Sequence, residues 1–263
     1  MACPLSSSVK KSKPTGHIEL RIQRATAILL FNNLAVHNAI NGEMIGQWEK
    51  ALDRIEENGS VRCVVLTGAG DAAFCSGGDL GYFASLGIAG EVLRMITRMQ
   101  EILRRLYLGS KVVIAAVNGA AVGGGCEILT ASHLRLAAAS ATFSFRQARN
   151  GIVCGWGGTR RLMNQLGGQR ALELLLTSRT ISAEEAWRIG LIGRIVPAGE
   201  LLSAALKTAE EISRVPPEAP AAFLDLKRNY CRVSPEEFQT MENEAFQKLW
   251  FQPAFQKILA SYR

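Results

Sequence analysis

The sequence lacks several features that would place it in a common class of protein. No apolar run approaches the roughly 18 residues that a membrane-spanning helix requires, so we expect no membrane partner. Its three histidines are dispersed and no two of its six cysteines have CxxC spacing, so we expect no metal site. Neither a GxGxxG fingerprint nor a GxxxxGK Walker pattern is present. These absences argue against a dinucleotide-binding protein and against a P-loop protein.

Positive charge is in moderate excess, at +7 over 263 residues, but it is not concentrated in a binding patch. The first 16 residues carry three lysines and no acid, and we expect residues 1–16 to be a disordered tail. An organelle-targeting segment is the alternative, which the shortness of the stretch and its lack of arginine disfavour. The remaining charge has no aromatic interleaving, so we expect no nucleic-acid partner. A small anionic ligand would suit this charge equally well.

The cysteines bear on the compartment in which the protein works. Several of them lie within apolar stretches, which is typical of reduced, packed thiols in an intracellular protein. We therefore expect a cytoplasmic location. A mitochondrial location is the alternative if the first 16 residues are a targeting segment.

Hydrophobic periodicity predicts an α/β fold. Strands alternate with amphipathic helices through the first two thirds of the chain, which implies parallel pairing. From residue 157 onward nearly everything is predicted to be helical, apart from a strand at 192–196. The strands are predicted at 18–23, 25–31, 62–67, 112–117, 134–138 and 142–145, and the helices at 42–58, 91–106 and 234–249.

No low-complexity linker divides the chain, so one core domain is expected at residues 17–200. Residues 201–263 form a helical C-terminal region. Its apolar face needs another surface, which is either the core of the same chain or a neighbouring subunit.

Two glycine-rich loops each follow a predicted buried strand. One contains Gly77-Gly78-Asp79, and the other contains Gly123-Gly124-Gly125 with Glu127 in the first turn of a helix. Glycine lets the backbone approach a ligand closely, and adjacent parallel strands would bring the two loops together. Two backbone N–H groups would then converge on one oxygen and stabilise its negative charge. In the simpler interpretation, the second loop is only a turn and Glu127 offsets the helix dipole.

These loops belong to motifs that strongly resemble the enoyl-CoA hydratase/isomerase (crotonase) superfamily. The motifs are Phe74-Cys75-Ser76-Gly77-Gly78-Asp79-Leu80, Ala115–Glu127 and Gly155-Trp156-Gly157-Gly158-Thr159-Arg160-Arg161-Leu162. The resemblance covers about residues 18–215. It implies a crotonase-like spiral of ββα repeats with a helical C-terminal region, assembled as a homotrimer or a dimer of trimers. It also implies an acyl-CoA thioester substrate, with no cofactor other than the coenzyme A of that substrate.

The resemblance also assigns the reacting groups. The N–H groups of Gly78 and Gly124 match the oxyanion hole, and Glu127 matches the first of two catalytic glutamates of the hydratases. Gln147 stands where the second glutamate is expected. Glutamine can hydrogen-bond a water molecule but cannot ionise or transfer a proton as a carboxyl group does.

The substrate-binding positions follow from the same match. The backbone around Ala35, Ser76 and Leu80 should lie along the pantetheine and adenine of the substrate. Trp156 either narrows the acyl pocket or fills a gap in the packing, and the packing role is the stronger expectation.

Several basic side chains have two interpretations. We interpret His133 as a structural hydrogen-bonding residue rather than a base. Arg146 and Arg149 are expected to face solvent, with the alternative that one of them binds a second carboxylate on the substrate. Lys227 or Lys257 could contact the CoA phosphates.

Three functions are compatible with this pattern. An enoyl-CoA hydratase-like lyase is the leading hypothesis because Glu127 and the overall motifs match that branch. The alternative enzyme is a decarboxylase of a 2-carboxyacyl-CoA, which needs an enolate and only one proton donor. The turn at Trp156 and the region of Trp250 and Pro253 are similar to ethylmalonyl-CoA decarboxylases, although Gln147 does not match them. A catalytically weak acyl-CoA-binding protein is the third hypothesis, which the retention of Glu127 disfavours.

Overall fold

The computed structural model describes residues 16–261, so the expectation of a disordered tail falls almost entirely outside it. The described strands are β1 (His17–Gln23), β2 (Thr26–Asn32), β3 (Cys63–Gly68), β4 (Ala73–Cys75), β5 (Val112–Val117), β6 (Ala120–Val122), β7 (Leu134–Ala138), β8 (Thr142–Ser144), β9 (Ile181–Ser182) and β10 (Arg194–Val196). The described helices are α1 (Gly42–Glu57), α2 (Leu80–Ala84), α3 (Ala89–Leu108), α4 (Gly124–Thr130), α5 (Gly158–Leu166), α6 (Gly168–Thr177), α7 (Ala183–Arg188), α8 (Leu201–Arg214), α9 (Glu218–Asn229), α10 (Pro235–Trp250) and α11 (Pro253–Ala260).

Six strands form the larger sheet, in the order β1-β2-β3-β5-β7-β10. The hairpin β1–β2 is antiparallel, and each later pair of neighbours is parallel, which confirms the predicted parallel core. Every residue of β3 and of β5 is buried. Burial on both faces explains why these two strands read as continuous apolar runs instead of alternating ones.

A second, four-stranded sheet has the order β4-β6-β8-β9. Three of these strands escaped prediction because β4 and β6 have three residues each and β9 has two, too few for a periodic signal. The strands β4 and β6 follow β3 and β5 after short connections, and they pair in parallel. Three strands of the large sheet, β3, β5 and β7, are each followed by a strand of the small one, β4, β6 and β8 respectively. This arrangement confirms the predicted crotonase-like α/β fold.

The main helices lie close to their predicted bounds. The helix α1 ends one residue before its predicted end, and α3 extends its prediction by two residues at each end. Both helices bury an apolar face against the larger sheet, and an ion pair joins them, with Arg98 Nη2 2.6 Å from Glu49 Oε2. None of the helices described between residues 16 and 261 has the length and apolarity needed to cross a membrane.

The C-terminal region divides into two parts. The helix α8 covers the opposite face of the larger sheet, where Leu201, Ala205 and Ala209 pack with side chains of β3 and β5. By contrast, α10 and α11 have no buried residue within the single chain. The apolar face of α8 is therefore covered by the chain's own core, whereas α10 and α11 project large side chains that this chain does not cover.

Close contact between α4 and the β4 loop gives a test of the fold. A Cβ atom on Gly125 would overlap the carbonyl oxygen of Cys75, so Gly125→Ala should force the backbone apart and lower the free energy of unfolding by about 1–3 kcal/mol. Urea denaturation measures this change. The matched control is Gly90→Ala in α3, where nothing lies within 4 Å, and it should be neutral or stabilising. If the two variants were equally stable, Gly125 of α4 would not be in close contact with Cys75 of β4.

Candidate active site

The two glycine loops meet at one edge of the sheets. The strands β3 and β5 are adjacent and parallel, so the chain leaves both in the same direction. Gly77 and Gly123 have φ angles of 100° and 54°, a region that favours glycine. A Cβ atom on Gly77 would lie only 2.9 Å from the backbone nitrogen of Gly124. The two loops therefore pack backbone against backbone, as expected from the sequence.

The backbone N–H groups of Gly78 and Gly124, which the resemblance assigns to the oxyanion hole, have no acceptor among residues 16–261. The groups around Gly78 are occupied, since Ile40 N donates to Gly77 O at 2.8 Å and Asp79 N donates to Ile40 O at 2.9 Å. Gly124 opens α4, where the first N–H groups have no partner within the helix. Both groups are thus available to a ligand, and their convergence on one oxygen stays a prediction.

Glu127 lies in the first turn of α4, the helix that Gly124 opens, and is almost completely buried, at 2% exposure. Its Oε2 accepts hydrogen bonds from Trp156 N at 2.8 Å and from Gly158 N at 2.9 Å, and its Oε1 accepts one from Gln147 Nε2 at 3.0 Å. Burial raises the pKa of the Glu127 carboxyl, and these hydrogen bonds together with the nearby charge of Arg161 oppose the rise. The simpler interpretation, in which Glu127 only offsets the dipole of α4, does not account for these contacts. The carboxylate also accepts a hydrogen bond from the first N–H group of a different helix, α5.

Gln147 is held against this carboxylate and is itself 6% exposed. Its amide nitrogen donates to Glu127, whereas its Oε1 has no hydrogen-bond partner among the described residues. A buried acceptor without a partner is costly and needs an explanation. The pair of Glu127 and Gln147 therefore presents an unsatisfied oxygen next to a carboxylate, which a water molecule or a substrate hydroxyl would satisfy.

Of the predicted substrate-binding positions, Ala35 and Leu80 are exposed and Ser76 is partly buried. Ala35 lies in an exposed turn that is tied to the β4 loop, since Ser76 N donates to His37 O at 3.0 Å and Ser76 Oγ donates to Val36 O at 2.9 Å. Leu80 opens α2 and is 76% exposed. The contact of these three positions with the substrate stays a prediction.

Trp156 is buried at 4% exposure, and a Cβ atom on Gly124 would overlap its ring. The ring therefore packs directly on the backbone of the second glycine loop. This contact supports the packing interpretation. It also places the ring directly beside the backbone of Gly124.

The groups that hold the Glu127 carboxylate from the far side were not predicted. They are the backbone N–H groups of Trp156 and Gly158. The guanidinium of Arg161 supports them indirectly, since it donates to Trp156 O at 2.9 Å and to Thr130 Oγ1 at 3.0 Å. Backbone donors leave no trace in a side-chain pattern. The one available signal was glycine at position 158, where a Cβ atom would lie 2.6 Å from Glu127 Cγ.

The basic side chains take the simpler of their two interpretations. His133 Nδ1 accepts from Val113 N at 2.9 Å, so Nε2 carries the proton and donates to Tyr107 O at 3.2 Å. Burial lowers the pKa of His133 to about 4, which favours the neutral ring, and the two hydrogen bonds support a structural role. Arg146 and Arg149 are exposed.

Main-chain amides without an acceptor and a single buried carboxyl group are the features expected of an enzyme that stabilises negative charge on a substrate oxygen and moves a proton. Residues 21–263 match the family model described as enoyl-CoA hydratase/isomerase. The chain belongs to this family, within the crotonase superfamily, and is an enoyl-CoA hydratase-like enzyme.

Individual relatives agree with this assignment. The chain is 35% identical over 235 residues to the short-chain-enoyl-CoA hydratase of Clostridium acetobutylicum, covering 88% of each chain. It is 35% identical over 196 residues to the crotonyl-CoA hydratase of Syntrophomonas wolfei, covering 74% of this chain and 75% of the relative. The crystal structure of an enoyl-CoA hydratase from Bacillus anthracis superposes with a TM-score of 0.88 at 30% identity, covering 93% of this chain and 95% of that one.

Proposed function

We propose that the protein adds water across the double bond of a 2-enoyl-CoA thioester. The observation that carries this proposal is the buried pair of Glu127 and Gln147, in which a carboxylate oxygen lies 3.0 Å from an amide whose own oxygen is unsatisfied. Water is the natural bridge between two such acceptors, since it offers two donors. The names of the curated relatives, a short-chain-enoyl-CoA hydratase and a crotonyl-CoA hydratase, support the same reaction.

The glycine loops would polarise the substrate. In this proposal the thioester carbonyl accepts hydrogen bonds from the N–H groups of Gly78 and Gly124, which have no other acceptor among the described residues. The negative charge of the enolate then develops on that oxygen, between donors that need no reorganisation. The backbone around Ala35, Ser76 and Leu80 would lie along the pantetheine chain, and Trp156 would limit the space available to the acyl group.

Glu127 would carry the proton through the whole reaction. Its Oε1 takes a proton from the water held by Gln147 Oε1, and the resulting hydroxide adds to C3 of the enoyl group. The electron pair of the double bond moves into the enolate. Glu127 then returns the same proton to C2, so the product is the 3-hydroxyacyl thioester and the enzyme is regenerated. No electron is transferred, so we propose that no cofactor is needed beyond the coenzyme A of the substrate.

Decarboxylation of a 2-carboxyacyl-CoA is the second candidate, because only one of the two central side chains is a carboxyl group. The direct test offers purified protein crotonyl-CoA and, separately, methylmalonyl-CoA and ethylmalonyl-CoA. We expect the enoyl absorbance band to fall with crotonyl-CoA and no CO₂ to be released from the other two. Release of CO₂ with an unchanged enoyl band would replace hydration by decarboxylation.

The same experiment addresses a non-catalytic role. A protein that only binds acyl-CoA would bind the thioesters in calorimetry with no turnover of any of them. That result would refute the enzymatic proposal.

We also propose that the protein assembles as a trimer or as a dimer of trimers. Large apolar side chains of the last three helices are 54–71% exposed in the single chain: Phe223, Phe246 and Ile258. Apolar side chains at this density are expected to be covered by another surface. Sedimentation equilibrium should give the mass of three or six chains, and a monomer would contradict the assembly.

A cytoplasmic location is the remaining part of the proposal. Five cysteines lie in the described part of the chain, and all five are free, as expected in a reducing compartment. The mitochondrial alternative depends on the first residues of the chain, which lie outside the described part.

A further inference from the structure

A cavity of about 320 Å³ lies where the end of α4 meets α3, α5 and α9. Seven arginine and lysine side chains line it, and no aspartate or glutamate between residues 16 and 261 does. Gly78, Gly124, Glu127 and Gln147 do not line it either. The cavity is therefore distinct from the groups assigned to the thioester chemistry.

The positive charge of this cavity is mostly uncompensated. Arg104 pairs with Glu101 at 2.7 Å and Arg228 pairs with Asp225 at 3.4 Å, each within its own helix. The other five cations make no ion pair with any residue that the structure describes: Arg135, Arg160, Arg161, Lys227 and Arg232. Such a concentration of one sign of charge is unfavourable unless an anion is bound there.

Two buried polar atoms at this cavity have no hydrogen-bond partner among the described residues. They are Ser132 Oγ and Arg228 Nε. The arginine nitrogen is a donor and the hydroxyl can serve as one, so an acceptor-rich ligand would satisfy both. Unsatisfied buried donors are rare in folded proteins, and these two occur where the unpaired cations lie.

The ammonium group of Lys227 is surrounded by like charges. It lies 3.5 Å from the centroid of the Tyr107 ring, while part of its side chain remains exposed. Desolvation, followed by the charges of Arg135, Arg161 and Arg228, lowers the pKa of Lys227 to about 8. The neighbouring His133 is neutral and adds no further positive charge.

We propose that this cavity binds a small anion that carries two or more negative charges on phosphate groups. Guanidinium groups match phosphate oxygens with paired donors, and a cavity of about 320 Å³ falls within the range of small-ligand sites. The phosphate could belong to a free anion or to coenzyme A. The site goes beyond the proposed hydration, which uses none of its unpaired donors.

Isothermal titration of the full-length protein with inorganic pyrophosphate, at constant ionic strength and neutral pH, tests the proposal. We expect saturable binding whose Kd rises about tenfold in Lys227→Gln and in Arg160→Gln, because each variant loses one charge-assisted contact. The matched control is Lys207→Gln on the exposed face of α8, which should leave the Kd unchanged. Turnover of crotonyl-CoA by the wild-type protein is measured separately, so a protein that hydrates crotonyl-CoA but does not bind pyrophosphate would count against this proposal alone.

Competition identifies the source of the phosphate. Displacement of pyrophosphate by coenzyme A assigns the cavity to the CoA phosphates, and the absence of displacement assigns it to a free anion. The proposal is overturned if pyrophosphate does not bind saturably, or if Lys227→Gln and Lys207→Gln bind it equally. It is also overturned if pyrophosphate binds only after the protein has been diluted to single chains. In that case an acidic side chain of a second copy would occupy the cavity in the assembled protein.

Discussion

Replacing Glu127 by glutamine should lower kcat for crotonyl-CoA by about 10²–10⁴-fold, the usual cost of losing a general acid–base group. Glutamine has nearly the same shape and can still accept hydrogen bonds from Trp156 N and Gly158 N, so the fold should persist. It cannot take the proton of water or return one to C2. Steady-state kinetics measure the loss, and calorimetry with the saturated butyryl-CoA should show retained binding.

The pH profile gives this prediction a second readout. Burial raises the pKa of Glu127, and the ionised form is the base in the proposed reaction. The ionised fraction falls as the pH is lowered through that raised value, so kcat/KM of the wild type should decline on the acid side at a pH above the ordinary range of a glutamate. The Glu127→Gln variant should lose this limb.

A matched control is Glu236→Gln, which changes an exposed glutamate in the first turn of α10 and should alter neither rate nor profile. Full activity of folded Glu127→Gln would remove Glu127 from the mechanism.

Replacing Gln147 by glutamate should raise the hydration rate, by up to about 10²-fold. The new carboxyl group would lie close to Glu127 Oε1, which Gln147 now contacts at 3.0 Å. Two carboxyl groups at this separation cannot both ionise, so one keeps its proton as an acid while the other acts as a base. Water activation and protonation of C2 are then divided between two groups. Stopped assays with crotonyl-CoA across a pH series measure the change.

The same variant separates the two candidate reactions. A second carboxyl group would repel the carboxylate of a 2-carboxyacyl-CoA, so any decarboxylation should fall in Gln147→Glu. Gln239→Glu on the exposed face of α10 adds the same charge far from catalysis and serves as the control. If folded Gln147→Glu lost hydration, Gln147 would have a role that a carboxyl group cannot fill.

The helices α1 and α3 could be predicted from the sequence because each carries an apolar period, and β3 and β5 could be predicted because each is a continuous apolar run. The helices α1 and α3, and the buried strand β5, were predicted within two residues at each end. The strands β4, β6 and β9 were not predicted, because each has two or three residues and no longer apolar run marks it, whereas the equally short β8 and β10 were predicted as parts of longer runs. The second sheet therefore depends on pairing between segments that are distant in the chain.

The candidate site divides in the same way. The glycine loops, Glu127 and Gln147 were visible as residue types at motif spacings. The N–H groups of Trp156 and Gly158 were not, because a backbone donor has no side-chain signature and reaches Glu127 only when the chain has folded across about thirty positions.

By itself, the sequence determined the main helices and the longer strands, the two glycine loops, the single carboxyl group and the family. Only the tertiary structure decided which hydrogen-bonding groups remained without partners, among them the amides of Gly78 and Gly124, the side-chain oxygen of Gln147 and two donors in a cationic cavity. The reason is physical. The type of a side chain can be read from a single position of the sequence. Whether a polar group has a hydrogen-bond partner depends on every segment that folding brings within about 3 Å of it.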